Sequence, residues 1–333
     1  MHLLTPVQPT GGPTVIASWE THMNDRILGL QHFADLSSTC VIFADGDIVL
    51  VREDPARSEV EIIGSIDGGI AAAAWSPDGE ILAVATASRT LLLMTREFEP
   101  IEKVAFSADD LKASHHVSVG WGKAETQFQG KHAKAQNLRD PTVPEKVDSG
   151  KLSPHDDGAT TMTWRGDGAY LAVSSVENQE RRLIRVYSRE GQLDSASEPV
   201  DGLESPLSWR PAGNLIAGVQ RTPQKMDIVF FERNGLRHGE FSLSSGAKDA
   251  STELKVARMF WNSDSMVLAI CLVDRVQLWS MGNYHWYLKQ ELMLPSQNQY
   301  AFFWHPEKPL KFAIVASSKH LCICVVLPAL NDN

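Results

Sequence analysis

The chain has 333 residues, of which 43% are hydrophobic, with nine tryptophans and a formal charge of −10. That acidity argues against a general nucleic-acid-binding surface, and the four scattered cysteines (Cys40, Cys271, Cys322, Cys324) cannot make a disulfide framework. No apolar run has the length of a membrane span, and the opening M-H-L-L-T-P-V-Q-P-T-G-G-P lacks a signal peptide's hydrophobic stretch, so the expected compartment is the cytoplasm or the nucleus.

Residues 1–13 hold three prolines and two glycines and read as a flexible arm. Thr14 to Trp19 is a short β-branched strand, placed to close a ring beside the last repeat. Leu30 to Gly64 forms a first unit, recognised from T-C-V-I-F, the turn around Asp45-Gly46 and I-V-L-V. Ile70 to Phe106 is the cleanest unit, with A-A-A-A-W, I-L-A-V-A-T, T-L-L-L-M-T and a charged last strand suited to an exposed edge. A weaker unit surrounds Trp121. After it comes a polar stretch broken by prolines, 131–157, without strand alternation. Two readings stand for it, a solvated loop or a partner-binding segment. Lys123, Lys131, His132, Lys134 and Arg139 would make it a loop for transfer RNA or another anionic partner. Asp156-Asp157 lies at its end and reads most simply as solvated.

From Thr160 onward the register is firm. T-M-T-W ends a strand at Trp164, Asp167-Gly168 supplies the positive φ that a tight hairpin needs, and strands follow at Leu171–Val176 and Leu183–Tyr187. The same phrase recurs as W-S-P-D-G-E-I-L-A at Trp75, W-R-G-D-G-A-Y-L-A at Trp164, W-R-P-A-G-N-L-I-A at Trp209 and W-N-S-D-S-M-V-L-A at Trp261. Its last copy is W-H-P-E-K-P-L-K-F-A at Trp304. The alanine stands eight residues after the tryptophan in the first four and nine after it in the fifth. Neighbouring copies lie 43 to 52 residues apart, except the 89 between Trp75 and Trp164, where Trp121 marks a hidden unit. Units of this length with about four short strands predict an all-β, WD40-like β-propeller of about seven four-stranded blades, incomplete at its ends. The propeller spans 14–328, with a tail at 329–333. The usual Trp-Asp and Gly-His pairs of WD40 repeats are absent: Tyr187-Ser188, Phe231-Glu232 and Trp279-Ser280 stand where Trp-Asp would be.

Chemistry is sparse. Cys322 and Cys324 face one side of a strand and read as a buried structural pair; no histidine spacing suits a metal, no helix follows the glycine turns to cradle phosphate, and G-x-S-x-G is absent. Catalytic, cofactor-binding and metal-ligating residues are therefore expected to be none. Asn283, Tyr284, His285, Trp286 and Tyr287 form an aromatic run of which half reads as core and half as a candidate partner surface.

Four strings carry a family resemblance: T-H-M-N-D-R-I-L-G-L-Q, V-S-V-G-W-G-K-A-E-T-Q-F-Q-G, D-I-V-F-F-E-R-N-G-L-R-H-G-E-F and G-N-Y-H-W-Y-L-K-Q. Together they resemble the largest subunit of the Elongator complex, in order, over roughly Val15 to Lys311. The resemblance implies the amino-terminal propeller of a longer, non-catalytic scaffold. Its partners would be the other Elongator subunits, including the catalytic one, with transfer RNA met through the complex and no membrane. Elongator modifies the wobble uridine of transfer RNA, and its acetyl-coenzyme A and iron–sulfur chemistry resides in a different subunit, so no catalytic residues carry over. The residues before Val15 and after Lys311 do not resemble the family, which predicts a fragment or a truncated gene model. Two other readings are a propeller scaffold of another assembly, such as a vesicle coat, and a propeller enzyme with polar residues converging at a channel mouth.

Overall fold

A computed structural model describes residues 2–4, 15–18, 26–52, 60–113, 148–243, 254–294, 300–316 and 321–326. Its elements are almost entirely antiparallel strands. β1 (His2–Leu4), inside the expected arm, pairs with β2 (Val15–Ser18). The first meander is β3 (Ile27–Phe33), β4 (Ser38–Phe43), β5 (Asp47–Arg52) and β6 (Val60–Ser65); the second is β7 (Ile70–Trp75), β8 (Ile81–Thr86), β9 (Thr90–Thr95) and β10 (Pro100–Ala105). The third is β11 (Thr161–Trp164), β12 (Tyr170–Glu177), β13 (Arg181–Ser188) and β14 (Leu193–Ala196). The fourth is β15 (Leu203–Trp209), β16 (Leu215–Arg221), β17 (Met226–Glu232) and β18 (Arg237–Ser242). The fifth is β19 (Val256–Trp261), β20 (Val267–Leu272), β21 (Arg275–Gly282) and β22 (His285–Met293). A sixth, with three strands among the described residues, is β23 (Tyr300–Trp304), β24 (Lys311–Ala316) and β25 (Leu321–Val326).

Each meander keeps its strands in chain order, the blade pattern of a WD40-like propeller. Six such sheets are described; the unit expected around Trp121 lies outside the described residues, as do the side chains of Cys322 and Cys324. Contacts divide the chain into two compact units. One is Met1–Ser107 with Asp167–Leu171 and Tyr187–Gln192; the other is Ala108–Gly166 with Ala172–Val186 and Leu193–Asn333.

The tryptophan register is as the offsets require. Trp75, Trp164, Trp209, Trp261 and Trp304 each end the first strand of their sheet. Trp75 faces Leu82 across the hairpin, Trp209 faces Ile216, Trp261 faces Leu268 and Trp304 faces Phe312, so the residue opposite is in each case the one before the alanine. The first meander corrects the count. Phe33, not Leu30, ends its first strand, opposite Ser38, because a 3-10 turn over Ala34–Leu36 shortens the link. Phe33 then sits edge-on to Trp75 at 5.1 Å in the same unit.

Middle strands are buried, and last strands such as β10 and β18 are largely exposed, whereas β14 is half buried. In the second unit, one apolar cluster joins the fourth and fifth sheets through Val219, Ile228, Phe230, Met259, Leu268 and Ile270. Another joins the fifth and sixth through Leu278, Phe302, Phe312 and Ile314. After Trp164, Trp209 and Trp261 the next residue bridges to the first turn of the following sheet. Arg165 Nη1 donates to Asn214 Oδ1, Arg210 Nε to the Ser265 carbonyl and Asn262 Nδ2 to the Pro309 carbonyl, all at 2.9 Å. Gly202 is held by close approach: at φ +74, an added Cβ would stand 2.0 Å from the Arg221 carbonyl oxygen.

Candidate functional site

The fifth sheet carries the candidate surface. β21 and β22 meet in a two-residue turn whose central residues, Asn283 (φ 48) and Tyr284 (φ 64), are both left-handed, as a tight hairpin requires. Asn tolerates that region; tyrosine enters it at a cost. Tyr284 is 78% exposed, and His285 and Tyr287 are also exposed. Trp286 turns inward and stacks on Phe230 at 4.9 Å and Phe241 at 5.0 Å. Of Asn283 to Tyr287, four residues are exposed and Trp286 alone turns toward the core, partly buried.

Beside this hairpin lies a shallow hollow of about 20 Å³, open to solvent and lined by Arg210, Trp261, Ser265, Met266, Met281 and Trp286. Its construction follows from one departure in the repeat. The fourth residue after the tryptophan is Gly79, Gly168 and Gly213 in three copies, each at positive φ; in the fifth sheet it is Ser265, at φ 65. Ser265 is buried and fastens the preceding sheet, its hydroxyl accepting from the Ala212 amide at 2.8 Å and its carbonyl from Arg210 Nε. In the fourth sheet the matching carbonyl, Gly213, accepts from Trp209 Nε1 at 3.2 Å. In the fifth sheet Arg210 donates to that carbonyl, and Trp261 Nε1, like Trp75 Nε1 in the second sheet, is left without a partner among the described residues. The guanidinium lies over the Trp261 ring, 5.5 Å from its centroid. Sequence reading missed Arg210, Met266 and Met281. Serine in place of the turn glycine was the available signal.

The basic cluster Lys123, Lys131, His132, Lys134 and Arg139 lies outside the described residues. The end of the polar stretch, 148–157, is described and firmly attached, outside the named strands. Asp201 Oδ1 accepts from the Ser149 amide (3.0 Å) and hydroxyl (3.2 Å) and from the Lys151 amide (2.8 Å). Burial of Asp201 raises its pKa, but these donors outweigh that and hold it below the ordinary aspartate value. Ser153 donates to Glu204 at 3.0 Å. Asp156 corrects the solvated reading: its side chain is 1% exposed and receives both Arg182 Nε and Nη2 at 2.7 Å. The same strand holds Arg185, fully buried, which donates to Asp110 (2.7 Å), Glu177 (2.6 Å) and Ser175 (3.0 Å). Asp110 belongs to the 3-10 helix Ala108–Ala113. β13 thus clamps the chain on both sides of 114–147.

Reactive groups do not gather. Among the described residues no three His, Cys, Asp or Glu side chains are grouped to hold a metal ion. Burial pushes the thiols of Cys40 and Cys271 up to about 12, far from a thiolate nucleophile at neutral pH. What the surface offers is rings, thioethers and one arginine, the materials of protein contacts.

Comparison with known proteins agrees with the fold. Residues 5–307 match the family model described as ELP1 first N-terminal beta-propeller. The chain is 46% identical over 335 residues to Elongator complex protein 1 of Saccharomyces cerevisiae, covering 90% of the chain and 24% of the relative. It is 46% identical over 288 residues to the Schizosaccharomyces pombe protein of that name (85% and 22%) and 42% over 312 residues to the mouse one (89% and 22%). The chain therefore spans about a quarter of the length of these relatives. Among solved structures, the complex of KlAtg21 with the coiled-coil of AgAtg16 superposes with a TM-score of 0.59 at 10% identity, over 91% of this chain and 82% of that one. Chaetomium thermophilum Sqt1, bound to the N-terminus of ribosomal protein L10, gives 0.55 at 15% identity, over 94% and 74%. At such identities these two speak to the fold alone.

Proposed function

The chain belongs to the Elongator complex protein 1 family, as its first β-propeller, and from that premise we propose that it is a non-catalytic scaffold of an Elongator complex. It holds other subunits, the catalytic one among them, in the arrangement that modifies the wobble uridine of transfer RNA. Substrate RNA meets the assembly through the complex, in the cytoplasm. The single observation that carries this reading is the likeness to Elongator complex protein 1 along some nine-tenths of the chain. The site's chemistry is in keeping with it: exposed tyrosines at a hairpin tip whose Trp286 stacks on Phe230 suit a contact surface better than a reaction centre.

The experiment starts from cells lacking the full-length protein and re-expresses it with and without residues 15–311. The deletion should abolish wobble-uridine modification and release other subunits from the complex. If both survive the deletion, this region is not the scaffold. The purified chain alone should not turn over acetyl-coenzyme A, and turnover in a pure sample would overturn the non-catalytic assignment.

A further inference from the structure

We propose that the hollow of Arg210, Trp261, Ser265, Met266, Met281 and Trp286 is a docking site for a short acidic segment of a partner protein. One apolar side chain of that segment packs against Met266, Met281 and Trp286, and a carboxylate next to it pairs with Arg210. This rests on the scaffold reading only in taking the partner to be a protein.

Charge decides the first half. Arg210 spends one nitrogen on the Ser265 carbonyl and lays its plane over Trp261; its two terminal nitrogens have no acceptor among the described residues. The guanidinium is thus fixed in orientation before any ligand arrives, which lowers the ordering cost of a bidentate carboxylate contact. The second half is apolar. Met266 and Met281 are large hydrophobics left well exposed, and Met281 stands directly opposite Trp286 in the ladder, so both flank one opening. Thioether side chains adapt to the shape of an incoming residue.

Arginine with tryptophan also suits nucleic acid, and geometry favours the peptide. A base needs an open ring face to stack on. Arg210 lies over the Trp261 ring, and Trp286 stacks nearly parallel to Phe230, at 12°. Ser265, a lining residue, is itself fixed by the Ala212 amide and by Arg210, so the floor of the hollow is held in place before any ligand arrives.

The test uses a displayed library of random seven-residue peptides, selected on the full chain. Enriched sequences should place Asp or Glu beside Leu, Met, Phe or Trp. Synthetic copies should bind about tenfold more weakly to Met266→Glu, Met281→Glu and Arg210→Gln. The two methionines are exposed, so their variants keep the parent's thermal midpoint and report binding alone. Absence of enrichment, enriched peptides without a carboxylate, or equal binding by the methionine variants would overturn the proposal. So would displacement of the peptides by an oligouridine, which would make the site a nucleic-acid contact. Self-association of the chain that Met281→Glu dissolves would make the occupant a second copy instead. None of these outcomes touches the deletion experiment above, so the scaffold reading stands or falls separately.

Discussion

β13 and the β21–β22 hairpin are both heavily loaded parts of their sheets, and they are filled with opposite chemistry. β13 buries guanidiniums. Arg182 and Arg185 are shut away from water; the sheet itself supplies one carboxylate, Glu177 on β12, for Arg185, and the others come from outside it, Asp156 from before β11 and Asp110 from the 3-10 helix. β21 and β22 bury rings. Trp279 and Trp286 pile on Phe241, Phe230 and Trp261 with centroids 4.6 to 6.4 Å apart and need nothing further. The difference teaches what each core does to its surroundings. A buried charge dictates where another part of the chain must run, at little net gain in stability. An aromatic pile dictates nothing beyond itself and leaves surplus rings, here Tyr284 and Tyr287, facing solvent.

The contrast can be broken from the charged side first. Asp156→Ala strands Arg182 without its carboxylate and should destabilise the fold by about 3–5 kcal/mol, read as a lowered urea midpoint. A loss under about 1 kcal/mol would mean that water or another group replaces the carboxylate, and that the clamp is ornamental. On the aromatic side, Trp286→Ala removes a half-buried ring and should cost about 3 kcal/mol. Trp286→Phe should restore most of that loss, because stacking and area matter there rather than a hydrogen bond. A Phe variant as weak as Ala would refute the stacking account. The smallest effect has the opposite sign. Tyr284→Gly relieves a left-handed tyrosine and should raise stability by about 1 kcal/mol, measurable as a higher thermal midpoint. No gain there would show that Tyr284 makes contacts worth as much as its strain.

Much of this was legible in the sequence, and the limits have physical causes. A tight hairpin demands positive φ, so Asp-Gly turns and the fixed step from tryptophan to alanine announced the strand register, which the sheets repeat copy after copy. Phe33 escaped because its turn is built differently, and counting back one period from Trp75 lands on Leu30. Asp156 read as solvated because its partner Arg182 lies 26 residues on, and nothing local marks a carboxylate as buried. In the aromatic run only Trp286 turns inward, because the two-residue turn at Asn283-Tyr284 interrupts the alternation and carries Tyr284 into solvent. The hollow was hidden for a subtler reason: Arg210 and Ser265 matter jointly, and neither is marked by its own neighbours until the two sheets stand side by side.

Arg182 and Arg185 stand three positions apart on one strand, and so leave it on opposite faces. Their hydroxyl partners agree, since Ser174 and Ser175 are consecutive on β12. Asp156 therefore grips one face of the sheet and Asp110 the other. A strand held in this way cannot peel toward either side without first pulling an ion pair apart in a dry interior. Such a grip adds little to the equilibrium between folded and unfolded chains, yet it stands as a toll on the way out. Its consequence is a slow clock: this sheet should be among the last parts of the molecule to let go.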